Sequence, residues 1–211
     1  PNDSSRIWVG TGENVAGRHV GIGHGIYLSK DSGSTWDDMG LNKSEHISKI
    51  IVHPDNSNII WVASQGPLWN SGGDRGLFMS TDGGNTWSNK LYVNEWTGVT
   101  DIIIDPTNPD ILYAATWQRH RNVASLIDGG PGTSIYKSID GGNTWNEIDS
   151  GLPSSNMGKI GLAISPMKPE VIYAAIELDR RSGAVFRSDN SGGVWKKMSN
   201  TVAGATGPHY Y

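Results

Sequence analysis

The sequence predicts an all-β chain built from repeated four-stranded antiparallel units. Three observations carry this prediction. One octapeptide recurs as SKDSGSTW at 29–36, STDGGNTW at 80–87 and SIDGGNTW at 138–145, with a divergent SDNSGGVW at 188–195. The copies lie roughly 50–60 residues apart, the interval of a repeated supersecondary unit. Between them stand short runs of β-branched and aromatic residues, punctuated by Pro, Asn, Asp and Gly. Such runs read as strands and are too short for helices.

The elements follow in order. ISKIIVHPDNSNIIWVAS from Ile47, VTDIIIDPTNPDILYAAT from Val99 and GKIGLAISPMKPEVIYAAI from Gly158 align with one another. Each reads as strand A, a turn and strand B. Pro54, Pro106 and Pro166 suit the second position of a tight turn, where their φ is already set. Strand C is GIYLSK at 25–30, GLFMST at 76–81, SIYKSI at 134–139 and GAVFRS at 183–188. Strand D starts at each motif tryptophan. RIWVGTG at 6–12 matches the B strands, so the first unit, 1–40, lacks strand A. Complete units occupy 47–92, 99–149 and 158–199, and 200–211 reads as a connection to a next unit.

The octapeptide is the turn from C to D. Asp31, Asp82 and Asp140 can accept N–H bonds within their own loops, as Asx turns do. The glycines supply positive φ without a Cβ penalty. Trp36, Trp87, Trp145 and Trp195 then re-enter the sheet at equivalent places and cover the turn. A calcium loop is the rival reading, but it needs six or more oxygen ligands and usually a closing carboxylate. None of these loops supplies that set, so no metal or other cofactor is expected. In the fourth copy Asn190 replaces Asp and Val194 replaces Thr, with Asp189 a candidate substitute.

The pattern S-x-D-x-G-x-T-W resembles the Asp-box, or bacterial neuraminidase repeat, found in β-propeller sialidases, xyloglucanase-type hydrolases and sortilin-type domains. With GTGEN, GPLWNSGGDRGLF and TWQRHRN…DGGPGTSIY, the chain more closely resembles bacterial secreted sortilin-like (vacuolar-protein-sorting-type) propellers, often labelled glycosyl hydrolases. The resemblance implies four propeller blades, a section of a larger ring, with the remaining blades supplied by a longer chain or a partner subunit. Pro1 in place of Met is expected of a processed or partial product. A ring closed by four blades is the alternative.

In such a blade the A–B and C–D turns share one face, and the B–C and D–A connections share the other. The short, repetitive turns look structural. The B–C loops are long and dissimilar, the usual place for binding. They carry Arg18, Arg75, Arg119, Arg121, Arg180 and Arg181, with Trp69 and Trp117. The D–A connections add Glu45, His46, Glu95 and Trp96, then Asn156, Met157, His209 and Tyr210 at equivalent positions, ringing the mouth of the central channel. Arginine forks suit carboxylates, and aromatic faces suit sugars or apolar side chains. The face therefore suits a peptide carboxylate or an acidic sugar. Each arginine could equally pair with a neighbouring loop carboxylate, such as Arg75 near Asp74.

Composition narrows the function. A net charge of −4 gives no nucleic-acid footprint and no polybasic membrane patch. With no cysteine there is no disulfide framework or thiolate site. No apolar run approaches the roughly 20 residues of a membrane helix. Glu13, Glu45, Glu95 and Asp74 lie on the loop face, but nothing pairs them as hydrolysis requires. The residues favour a non-catalytic propeller that binds a peptide, protein or glycan, in an extracytoplasmic protein. The alternatives are a sialidase- or xyloglucanase-like glycoside hydrolase and an architectural subunit of a surface assembly.

Overall fold

The structure, a computed structural model, describes residues 3–15, 17–178 and 182–202. Arg180, Arg181, His209 and Tyr210 therefore lie outside the described residues, as does most of 200–211. Among the described residues there are strands and no helix, as the sequence predicts. The first sheet joins β1 (Ile7–Gly10), β2 (Ile26–Ser29) and β3 (Asp37–Asp38) in that order. The second joins β4 (Ile47–Val52), β5 (Ile60–Ser64), β6 (Gly76–Ser80) and β7 (Ser88–Leu91). The third is built on β8 (Thr97–Ile104) and β9 (Leu112–Arg121). To β9 it adds both β10 (Leu126–Asp128) and β11 (Ile135–Ser138), and β12 (Asn146–Glu147) follows β11. The fourth runs β13 (Ile160–Ser165), β14 (Lys168–Leu178), β15 (Ser182–Ser188) and β16 (Lys196–Val202). All pairings are antiparallel.

The core is a series of interfaces between successive sheets. Ile26 of the first sheet packs with Ile60, Val62 and Phe78 of the second. From the same strand, Trp61 and Ala63 point the other way, onto Ile102, Leu112 and Ala114 of the third. Tyr113, Ala115 and Ile135 of the third meet Ile160, Ile172 and Phe186 of the fourth. Side chains alternate across a strand, so a strand sandwiched between two sheets is apolar at every position. This explains why IWVAS of β5 is buried throughout.

Each recurrent turn is locked by its own aspartate. Asp82 Oδ1 accepts from Thr86 N at 2.9 Å and Ser80 Oγ at 2.8 Å, and Oδ2 accepts from Thr86 Oγ1 at 2.6 Å. Asp31 and Asp140 repeat these bonds. In the fourth copy Asn190 itself, not Asp189, accepts from Ser188 Oγ and Val194 N. Asp189 pairs with Arg187 instead. The neutral amide oxygen keeps the backbone bond, and only the hydroxyl contact is lost with threonine.

Each of the four tryptophans immediately precedes the last strand of its sheet, but their indoles differ in partner and exposure. Trp87 and Trp195 donate across to the preceding sheet, to Met39 O at 2.8 Å and Ile148 O at 2.9 Å. Trp145 donates to Gly142 O of its own turn, and Trp36, with no preceding sheet among the described residues, is exposed. A second aromatic set was not read from the sequence. Trp8, Trp61 and Tyr113 occupy one position on the B strands and lie under the next sheet's turn. A Cβ on Gly84 would come within 2.4 Å of Trp8, and one on Gly142 within 2.6 Å of Trp61 Nε1. Trp61 Nε1 donates to Gly141 O, and Tyr113 Oη to Ser191 O.

The two faces separate as expected. The C–D turns bond the A–B turns: Gly83 N to Asn58 O, Gly141 N to Asp110 O and Ser191 N to Glu170 O. The B–C loops bond the D–A connections: Gly23 N to Glu45 O, Gly72 N to Glu95 O and Gly130 N to Met157 O.

Candidate functional site

On the loop face, the B–C segment of the first sheet arches over the others. Its backbone reaches the third and fourth sheets. Arg119 donates to Val15 O, Lys159 Nζ to Asn14 O, and Thr100 Oγ1 to Asn14 Oδ1 at 3.3 Å. Arg18 Nη2 donates to Val123 O at 3.3 Å. A cavity of about 530 Å³ opens against the arch, lined by Glu13, Asn14, Val15, Arg18 and His19 among others. Glu13 Oε2 accepts from Gly21 N within the arch.

The segment 116–133 was expected to be a loop. Its first part is strand instead: β9 runs on to Arg121 and pairs with β10, in the register Arg121 to Leu126, His120 to Ile127 and Arg119 to Asp128. Asn122 makes the connecting turn, its Oδ1 accepting from Ala124 N and Ser125 N. Alternation along this extended hairpin turns Trp117, Arg119 and Arg121 inward, and all three are buried.

Several expected ligand contacts are therefore corrected. Arg75 is 1% exposed, and its guanidinium donates to five carbonyls: Gln65, Pro67, Asn70, Gly72 and Trp96. It is a loop clamp, not a surface contact. Asp74 does not pair with it; Asp74 Oδ2 accepts from Lys43 N. Arg119 is fully buried, donates to Val15 O and Gly66 O, and lies 5.2 Å from the Trp117 ring centre. His46 is also fully buried, and neither ring nitrogen has a hydrogen-bond partner. Burial, and then Arg119 and Arg75, push its pKa down to about 4, with the Glu13 backbone opposing. Met157 is buried while Asn156 is exposed. Nearer solvent, half-buried Trp96 rests on His120 with ring centres 4.1 Å apart, and Glu95 is exposed. Trp69 and Glu45 are half-buried, Glu45 with a φ of 61°.

The structure adds two carboxylates and a lysine that sequence reasoning missed. Asp128 stands opposite Arg119 in the β9–β10 register, and Glu177, near the end of β14, packs on Gly158, which also abuts the Asp128 backbone. A Cβ on Gly158 would lie 2.9 Å from Asp128 O and 3.0 Å from Glu177 Cγ. Burial, then the Glu177 charge, push the Asp128 carboxyl up to about 6, although Arg119, Lys159 and Arg121 pull it down. Lys159, bonded through its backbone O to Glu177 N, has its Nζ 5.4 Å from the Trp117 ring centre. Asp101 of β8 ties three sheets, pairing with Lys49 at 2.7 Å and accepting from Leu162 N at 2.8 Å. Among the described residues, no group of three His, Cys, Asp or Glu could hold a metal ion, and no helix is long and apolar enough to cross a membrane.

Comparison with known proteins sets this geometry in context. No protein-family model matches the chain. It is 26% identical over 229 residues to a xyloglucanase of Hypocrea jecorina, covering 94% of this chain and 25% of the relative. It is 23% identical over 235 residues to a xyloglucanase of Paenibacillus sp, covering 94% and 21%. Among solved structures, the GH74 xyloglucanase from Xanthomonas campestris superposes with a TM-score of 0.68 at 16% identity, over 94% of this chain and 29% of that one. The Niastella koreensis GH74 enzyme gives 0.65 at 18% identity, over 93% and 28%. The chain thus spans about a quarter or less of the length of the curated relatives it matches. The fold is that of a β-propeller. The named relatives support the hydrolase alternative over the non-catalytic binding reading.

Proposed function

We propose that the protein to which this chain belongs is a glycoside hydrolase acting on a polysaccharide of the xyloglucan kind, and that this section supplies part of its substrate face. The observation that carries the proposal is the Asp128–Glu177 pair. Glycoside hydrolysis commonly needs one carboxyl that is protonated at working pH and a second that is ionised. Here burial and the charge of Glu177 hold Asp128 up to about 6, so it keeps its proton in mildly acidic solution. Asp128 then protonates the glycosidic oxygen, and Glu177 serves as base or nucleophile. Trp96, half-buried beside His120, offers a flat face to a sugar ring. The names of the curated relatives support the substrate class. We read the recurrent turns as Asp-boxes, scaffold on the opposite face. A polymer of this kind is met outside the cytoplasm, which supports an extracytoplasmic location.

The test is release of reducing ends from xyloglucan oligosaccharides by the full-length protein. D128N and E177Q should each lower turnover at least about a hundredfold while leaving substrate binding in place. Full turnover by both variants removes the pair from the chemistry. Binding without any turnover by the wild type returns the account to a glycan-binding propeller.

A further inference from the structure

The arch of the first sheet carries side chains that neither the core nor the Asp128–Glu177 pair uses. Glu13, Arg18 and His19 are exposed, and with the half-buried Asn14, Val15 and Val20 they line the cavity of about 530 Å³. Small-ligand sites commonly measure roughly 300–1,000 Å³, so the space suits a ligand of one or a few rings. The backbone around it is held in place. Glu13 N donates to Gly21 O at 2.9 Å, and Gly23 N to Glu45 O at 2.7 Å. Arg119 and Lys159 donate to the carbonyls of Val15 and Asn14.

The polar groups of the cavity are mixed in kind and balanced in sign. The Glu13 carboxylate only accepts hydrogen bonds, the Arg18 guanidinium only donates them, and the His19 imidazole can do both. Each keeps capacity to spare. Glu13 accepts from Gly21 N through Oε2, and Arg18 spends one of its five N–H groups on Val123 O. One side chain of each charge gives no reason to select an ion. A hydroxyl, which donates and accepts at once, satisfies both, and the two valines offer an apolar wall to the C–H face of a ring. The cavity also adjoins the carboxylate pair. Arg119, bonded to Val15 O, stands opposite Asp128 in the β9–β10 register. Lys159, bonded to Asn14 O, follows Gly158, on which Glu177 packs. Arg18 reaches the turn that leads into β10, the strand of Asp128.

We propose that the arch cavity is a subsite for a neutral sugar unit, lying beyond the unit held at the Asp128–Glu177 pair, with Arg18, His19 and Glu13 bonding its hydroxyls. The inference rests on the glycan reading above and deepens it, by naming where the glycan continues from the pair. An oligosaccharide long enough to reach the arch gains these bonds, and a shorter one does not. Hydrogen bonds to charged groups are worth about tenfold or more in affinity.

The experiment is calorimetric binding to the full-length protein of a short xyloglucan oligosaccharide, a longer one of the same repeat, and a carboxylate-bearing oligosaccharide of the longer length. Wild type, R18A and H19A are compared, and turnover of the longer neutral sugar is measured alongside. H19A removes an exposed ring, so it reads the subsite even where R18A loosens the hairpin turn at Val123. Wild type should bind the longer neutral sugar about tenfold or more tighter than the short one. Both variants should lose most of that advantage and bind the short sugar unchanged. Wild-type affinity independent of length, or an advantage kept in full by both variants, overturns the subsite even if turnover proceeds. Equal losses for short and long sugars in both variants also overturn it, because the arch then acts on the whole face. Tighter binding of the carboxylate-bearing sugar overturns the neutral assignment. The expected binding pattern without turnover by wild type leaves the subsite standing and sinks only the hydrolase reading.

Discussion

Asp128 and His46 respond to pH in opposite senses. Asp128 is raised from 3.8 to about 6, so its contribution to stability is fully present below 3.8 and lost as pH rises through 6. His46 is lowered from 6.5 to about 4, so its neutral ring favours the fold above 6.5, and that advantage is lost as pH falls toward 4. D128N should therefore stabilise the protein at pH 7, by about 1–2 kcal/mol, while removing turnover. Thermal unfolding of the variant at pH 7 and pH 4 checks this, because the gain should shrink at the lower pH. H46Q should flatten the decline between pH 6.5 and 4, which the same melts will read. Unchanged melting at all pH values for both variants contradicts the burial argument. The aspartates of the recurrent turns behave differently. Asp31, Asp82 and Asp140 are held down at about 2, first by the threonine hydroxyl of the turn and then by its backbone N–H. What they contribute is complete above 3.8 and lost as pH falls through 2, with water screening it at these exposed sites.

At the scale of elements, the turns prove to be joints between sheets. Gly142 has a φ of 87°, and a Cβ there would strike Trp61 of the preceding sheet. G142A should cost roughly 1–3 kcal/mol, from left-handed backbone strain and overpacking together. G72A, at a half-buried glycine of φ 72° with nothing near its Cβ, separates the two causes. Denaturant unfolding should give G142A the larger loss. The strands and turns were legible because period-2 runs and the repeated octapeptide are local signals. The joint was not, because Trp8, Trp61 and Tyr113 read simply as strand aromatics until the next sheet lies over them. The site was less legible still. Arg75, Arg119 and His46 sat on the right face by topology, yet sequence cannot tell a guanidinium that reaches solvent from one that gathers carbonyls. R75K should destabilise the protein, because a point charge cannot reach five carbonyls as a planar fork does. Asp128 was hidden inside what reads as a glycine-rich loop. Only the Asn122 turn and the alternation of TWQRHR signalled a hairpin that sets Asp128 opposite Arg119.

At the scale of the molecule, each sheet leans on the next, and the outer faces show what is not covered. Trp36 is 42% exposed, and Tyr173, which matches Trp8, Trp61 and Tyr113 on its strand, is 38% exposed under Arg187. We propose that further blades cover both faces, which the length of the relatives supports. The isolated 211-residue chain should then self-associate with rising concentration in sedimentation velocity, whereas a monodisperse 22.7 kDa monomer favours a ring closed by four blades. The arch of the first sheet, held by Asn14 and Val15 onto the third and fourth, makes the loop face one surface. Its chemistry turns on the proton of Asp128. The most direct test is the pH dependence of kcat/KM of the full-length protein on a xyloglucan oligosaccharide, for wild type and D128N. The account predicts a wild-type rate that falls as pH rises through about 6 and a limb that vanishes, with most of the rate, in D128N. A rate that stays high well above pH 6, or a D128N profile matching the wild type, contradicts it.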